Sequence, residues 1–238
     1  MTIFKDGKEI VEFYKDGKVI NEIYHGDKLI FSTLRPGTIL FESDTPQETT
    51  IEIPRSGLYE IICIGAGGGS AVGGYGNSAQ AGGGSGGGFW LDAVVSVGTY
   101  SISVGTGGAG VAGLNGGTGG TGDSSYFGGL VANGGVGGTA GYITSATGGA
   151  GGSLASWGTI TGITVTNVHE NLAGKQGDAR INVFLGTTEG GASIYPDLGV
   201  TTEQAMYGKG GRANGTISID SESAGKSGYV FVMYKGGY

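Results

Sequence analysis

Apolar and polar positions divide this chain into a short β-repeat, a set of apolar runs and a long glycine-rich stretch. In residues 1–33 a unit of ten recurs: FKDGKEIVEF, YKDGKVINEI and YHGDKLIFS. β-branched and aromatic residues (Ile10, Val11, Phe13, Tyr14; Val19, Ile20, Ile23, Tyr24; Leu29, Ile30, Phe31) alternate with Asp6-Gly7, Asp16-Gly17 and Gly26-Asp27. Such dipeptides between apolar runs predict a meander of hairpin strands. Both faces of each strand are partly apolar, and three short strands cannot bury two faces. The repeat is therefore expected to pack on copies of itself, on another protein or on the remainder of its own chain.

Arg35-Pro36-Gly37 breaks the pattern. The boundaries adopted are 1–35 for an attachment and oligomerisation module and 36–238 for the main domain. Strands are predicted at 38–43, 49–53, 57–64, 89–97, 99–104, 130–132, 159–168, 180–185, 216–220 and 228–234. The runs at 57–64 and 228–234 are the most apolar and should pair near the centre of a sheet. No segment has a capped helical period; a helical turn fits only residues 169–179. The fold class is all-β, a β-sandwich whose connections are replaced by glycine-rich segments.

More than half of the 56 glycines lie between Gly65 and Gly152, a stretch whose only charges are Asp92 and Asp123 and which has no proline. A linker would carry more charge or a simple repeat, and collagen would carry proline. Here Gly107, Gly110, Gly113, Gly116, Gly119 and Gly122 stand three apart. Three residues per turn is the period of the polyproline II helix, which has no internal hydrogen bonds. One such helix of glycine would be disordered. A bundle is different, because glycine lets backbones approach until amides and carbonyls pair between neighbours. Packed polyglycine II helices are the favoured reading; disordered glycine loops on a β scaffold are the competing one.

The net charge of −7 opposes nucleic acid and anionic membranes as partners. Cys63 is single and apolar in context, so no disulfide or cysteine metal site forms within one chain. With no membrane-length run and no signal-like start, cytosolic synthesis followed by release in a particle is expected. Gly65-x-Gly67 lacks the third glycine, the helix and the βαβ unit of a dinucleotide site. His25 and His169 have no zinc spacing and no nucleophile elbow beside them. Asp123-Ser124-Ser125 reads as a turn between glycine helices. Neither an enzyme nor a cofactor is expected.

The runs SGLYEIICIGAGGGSA, GGGSGGGF, GTYSISVGTGGAG, GGTGDSSYFGGLVANGGVGG and YGKGGRA…GKSGYVFVMYKG, in this order, resemble the glycine-rich domain of bacteriophage and prophage tail fibres. The resemblance spans roughly residues 38–238. It implies a jelly-roll or TNF-like sandwich with stacked polyglycine II helices, distal loops that touch a bacterial receptor, a homotrimer, contacts with other tail proteins, and a place in the virion. Similar glycine-helix insertions occur in some animal receptor kinases, so fold alone does not settle function. The alternative is a structural tail component that binds no receptor. A water-ordering face is a third reading, but only Thr118 and Thr121 fit it.

Residues 153–207 depart from the family pattern and suggest an inserted recognition element. Phe89, Trp90, Tyr100, Tyr126 and Phe127 read as core or flanking packing. Tyr142, Trp157, Tyr195 and Tyr207 lie among polar residues and glycine, where aromatic side chains serve as recognition anchors at low entropy cost. They are the expected receptor contacts, with His169, Asn171 and Asp197 as polar partners.

Overall fold

A computed structural model describes residues 4–5, 8–9, 13–15, 18–20, 22–25, 28–32, 34–74, 79–142, 145–181, 188–192, 194, 207–213 and 223–237. The protein is all-β. In the N-terminal repeat, Phe4–Lys5 pairs with Lys8–Glu9, Phe13–Lys15 with Lys18–Ile20, and Glu22–His25 with Lys28–Ser32. The registers Lys5↔Lys8, Lys15↔Lys18 and His25↔Lys28 close each hairpin at a predicted turn. Among the described residues these are separate two-stranded sheets, not one continuous meander.

Two antiparallel sheets make the sandwich. The larger has the strand order Ile163–Leu172, Gly88–Val95, Gly57–Ile64, Tyr229–Gly236, Thr38–Ser43. Its centre is the pair predicted from the apolar pattern, with Ile61 opposite Val232 and Cys63 opposite Val230. The smaller sheet runs Leu130–Ala132, Ser125–Phe127, Gly98–Val104, Gln47–Ile53. Alternation along each strand sends one set of side chains inward. Ile53, Ile102, Phe127 and Leu130 of one sheet meet Tyr59, Ile61, Phe89, Leu91 and Val232 of the other, all fully buried. Tyr59 and Tyr234 add a tilted ring contact at 5.2 Å.

No helical turn forms at 169–179. The edge strand runs to Leu172, and the chain then enters the glycine region. The reason is the spacing of Gly174 and Gly177. A Cβ on Gly174 would stand 2.0 Å from the Ser85 carbonyl oxygen, and one on Gly177 2.3 Å from that of Gly82. Both positions face a neighbouring backbone. Residues 153–207 are likewise no simple insertion, since they supply this edge strand and part of the glycine assembly.

Among the described residues, ten extended segments form that assembly: g1 (65–70), g2 (82–87), g3 (105–110), g4 (119–124), g5 (133–138), g6 (148–153), g7 (173–178), g8 (188–192), g9 (207–213) and g10 (223–228). Within g1, Gly65 and Gly68 donate to g2, Ala66 and Gly69 to g4, and Gly67 and Ser70 to g10, at 2.8–3.0 Å. Its carbonyls accept from g3, g5 and g9. The partner recurs every third residue, so the chain turns once per three residues with every bond directed outward. Segment g2 repeats the scheme, donating to g7, g9 and g5 and accepting from g1, g6 and g8.

The bonds arrange the segments in three layers: g4-g5-g6, then g3-g1-g2-g7, then g10-g9-g8. Apart from Gly208, no glycine within g1–g10 has a positive φ. Left-handed backbone is therefore not why glycine is needed here. Space is the reason: a Cβ on Gly67 would lie 2.0 Å from the Lys209 carbonyl oxygen, and on Gly137 1.9 Å from that of Gly119. Not every glycine of the three-residue frame belongs to the lattice. Gly113 lies in the strand Val111–Gly113 and would tolerate a Cβ, with nothing nearer than 3.6 Å. Gly116 sits in a turn at φ 79°.

Candidate receptor-binding surface

Segments consecutive along the chain alternate in direction. Segment g1 leaves the strand Gly57–Ile64 and rises; g2 descends into Gly88–Val95, so that Gly65 bonds Gly87 and Gly68 bonds Gly84. The same course holds for g3 and g4, and for g5 and g6. The sandwich therefore lies at one end of the lattice, and the described parts of the connections between rising and descending segments gather at the other. A six-residue segment at about 3.1 Å per residue sets that distal end about 19 Å from the sandwich.

The distal connections pair among themselves. Ala71–Gly73 is parallel to Val111–Gly113 and antiparallel to Ala79–Ala81, which pairs with Ala179–Ile181. Gly117–Thr118, Thr139–Ala140 and Ala146–Thr147 form a second small sheet beside them. Ala71, Ala79 and Ala140 are buried between these strands, with Ala146 against them, and their small volume lets the strands close over the lattice. Larger side chains stand outside. Leu114, Tyr142 and Ile181 are about half exposed, and Asn115 and Arg180 are exposed. Arg180 and Ile181 lie in a paired strand, while Leu114 and Tyr142 lie just beyond the strands that end at Gly113 and Ala140; exposed apolar and aromatic groups of this kind are candidate anchors.

The other described residues expected at a binding site lie elsewhere. Trp157 packs against the sandwich core, edge-on to Phe89 at 5.4 Å. Asn171 holds the adjoining loop, its Nδ2 donating to the Ala155 carbonyl at 2.9 Å and its Oδ1 accepting from the Ala155 amide at 3.1 Å. Both therefore have structural work at the sandwich. His169 stacks on Trp90 with ring centres 4.5 Å apart, and its Nε2 lies 3.0 Å from Asp92 Oδ2. Lys235 Nζ donates to both oxygens of Asp92, and Trp90 Nε1 donates to Glu60. This network knits the outer face of the larger sheet. Tyr207 stacks flat on Tyr229 at 4.8 Å, also at the sandwich end. Tyr195 and Asp197 fall outside the described residues.

Among the described residues, only Tyr142 of the anchors expected from sequence is placed at the distal end. Leu114 and Ile181 join it and were not singled out; Arg180 joins it too and lies in the stretch 153–207 read as a recognition element. Leu114-Asn115 interrupts a run of glycine and small residues, which was a readable signal. Cys63 is fully buried, and burial pushes its thiol well above the ordinary 9.0. Among the described residues no group of His, Cys, Asp and Glu could hold a metal ion. No curated protein matches the chain. The glycine-rich domain model matches residues 43–237, and the chain belongs to that family.

Proposed function

We propose that this chain is a phage or prophage tail-fibre or tail-tip protein that binds a bacterial surface receptor with its distal connections. The observation that supports this most is the gathering of those connections at one end, with Leu114, Tyr142 and Ile181 outward on a rigid base. Residues 1–35 act as the attachment and oligomerisation module, and a homotrimer is the proposed state. The receptor is a protein or glycan of the cell surface. The test is binding of labelled full-length protein to a panel of bacterial strains, read by flow cytometry. Leu114→Ser with Tyr142→Ala should weaken binding by about 5- to 150-fold, the range of one or more anchor residues, with unchanged melting. Absence of binding to every strain, with stable incorporation in tail particles, would favour a structural component instead.

A further inference from the structure

A cleft of about 440 Å³ opens where the smaller sheet meets the base of the lattice. One wall carries Glu48, Ser103 and Tyr126; the other carries Thr106, Asp123 and Ser124. The strand register explains the first wall. Glu48 is opposite Ser103, and Ser103 is opposite Tyr126, so the three stand in a row across adjacent strands. Their neighbours Ile102 and Phe127 point into the core, which leaves this row on the outer face. At about 4.8 Å per strand, Glu48 and Tyr126 stand about 10 Å apart. The second wall is fixed by the lattice: the Asp123 amide donates to the Thr106 carbonyl at 2.9 Å, and the Asp123 carbonyl accepts from Ala66 at 3.0 Å.

The cleft, whose Glu48, Thr106 and Asp123 are exposed, offers unused hydrogen-bonding capacity. Ser125 Oγ nearby accepts from the Gly105 amide, and Asn133 Nδ2 donates to Ser153 Oγ. By contrast, the carboxylates of Glu48 and Asp123 and the hydroxyls of Tyr126, Ser124 and Thr106 have no partner among the described residues. Among the described residues no basic side chain lines the cleft. Two carboxylates are acceptors only, so a ligand must bring donors, and an anion would be repelled. The Tyr126 ring offers a negative face to weakly positive C–H groups. The volume lies within the range of small-ligand sites.

The geometry points to a glycan subsite in this cleft that takes a neutral hexopyranose, separate from the distal surface. Vicinal hydroxyls donate to Glu48 and Asp123, Ser124 and Thr106 complete the polar contacts, and one C–H face of the ring lies on Tyr126. The two walls come from the sandwich and the lattice, so the subsite exists only when both are folded.

Saturation-transfer NMR on the full chain, with methyl glycosides of glucose, galactose, mannose and N-acetylglucosamine, tests this. At least one glycoside should bind, N-acetylneuraminic acid should not, and Tyr126→Ala should reduce affinity at least tenfold. Glu48→Gln lies on an exposed edge strand and should weaken binding without changing the melting temperature, which keeps the test valid if Tyr126→Ala misfolds. Leu114→Ser with Tyr142→Ala should leave glycoside binding intact, so loss of cell binding and loss of the subsite are separable. The assignment is overturned if no neutral glycoside binds, if the anionic sugar binds equally, or if folded Glu48→Gln and Asp123→Asn both bind like wild type.

Discussion

Gly67→Ala isolates the demand for space inside the lattice. The new methyl carbon would stand 2.0 Å from the Lys209 carbonyl oxygen and 2.4 Å from its carbon. Relief requires g9 to move from g1 by roughly 1.4 Å to reach ordinary contact distance. Two bonds in its path are Gly211 N to Gly68 O at 2.7 Å and Gly86 N to Gly208 O at 2.8 Å. Stretched by that amount they leave the hydrogen-bonding range. Each orphaned buried pair costs about 1–3 kcal/mol, and the smaller entropy of the unfolded alanine chain returns about 0.4–1 kcal/mol. The net loss is about 2–5 kcal/mol, or a fall in Tm of about 4–20 °C for a domain of this size. Gly113→Ala is the control, since its Cβ would meet nothing nearer than 3.6 Å. It should be neutral or slightly stabilising. Thermal and urea denaturation of both variants decides the matter. A Gly67→Ala protein melting within a degree or two of wild type would refute the close-packed lattice, as would a Gly113→Ala protein that falls equally far.

Val136→Lys should change stability by less than about 0.5 kcal/mol, because Val136 is nearly half exposed on the outer face of g5; Gly137→Ala one residue on should be severely destabilised, and equal melting of the two would contradict the inward and outward assignments. Native Cys63 should resist a thiol reagent at pH 8 and react on denaturation, since burial disfavours its thiolate. Burial first, then Asp44 and Glu42, raise the Tyr207 pKa above 10.0. The folded state thus holds this proton more tightly, and the resulting stability is complete below about pH 10 and is lost as pH rises through the folded value; Tyr207→Phe should flatten that part of a denaturation-midpoint series. A chain starting at Thr38 should fold yet lose oligomerisation, checked by light scattering, and normal assembly would remove the proposed role of residues 1–35.

Much of the fold was legible because strand alternation and glycine spacing report directly on packing. The run 57–64 has a buried inner face and sits at the sheet centre, as its apolar character implied. Leu130–Ala132 was delimited by flanking glycines. The three-residue step revealed the period of the lattice but not its extent. It passes unbroken through Gly113 and Gly116, where the chain is strand and turn, because periodicity cannot show which backbone lies beside a residue. In g7, Lys175 and Gln176 sit between the inward glycines, and in g9 Lys209 stands between Gly208 and Gly210 and Arg212 follows Gly211. A lattice residue that faces solvent can carry any side chain, so these segments resembled an insertion. Trp157 was misleading for a related reason. Small and polar neighbours surround it in sequence, but its ring reaches Phe89 across the sandwich, a contact that no local pattern encodes.

The lattice also constrains where recognition can develop. An interior segment such as g1 spends its backbone groups on surrounding segments, and its glycines leave no room for side chains. A peripheral segment has about one residue in three free to project outward. On the g4-g5-g6 face these are Thr118, Thr121 and Ser124, then Asn133, Val136 and Thr139, then Thr147, Ala150 and Ser153. They are short and uncharged, and some bond one another, as Thr118 and Thr139 do through their hydroxyls at 3.1 Å. Such a face has area but few protruding groups with which to discriminate among partners. The connections are not bound by this rule, because their residues need not fit between neighbouring backbones. Each segment is positioned by main-chain bonds that depend little on the sequence of the connection above it. Tip residues such as Leu114, Tyr142 and Ile181 can therefore be exchanged without disturbing g1 to g10, and each exchange is presented on a base already ordered by folding. On the proposed function, that separation would let one stable scaffold carry many recognition surfaces.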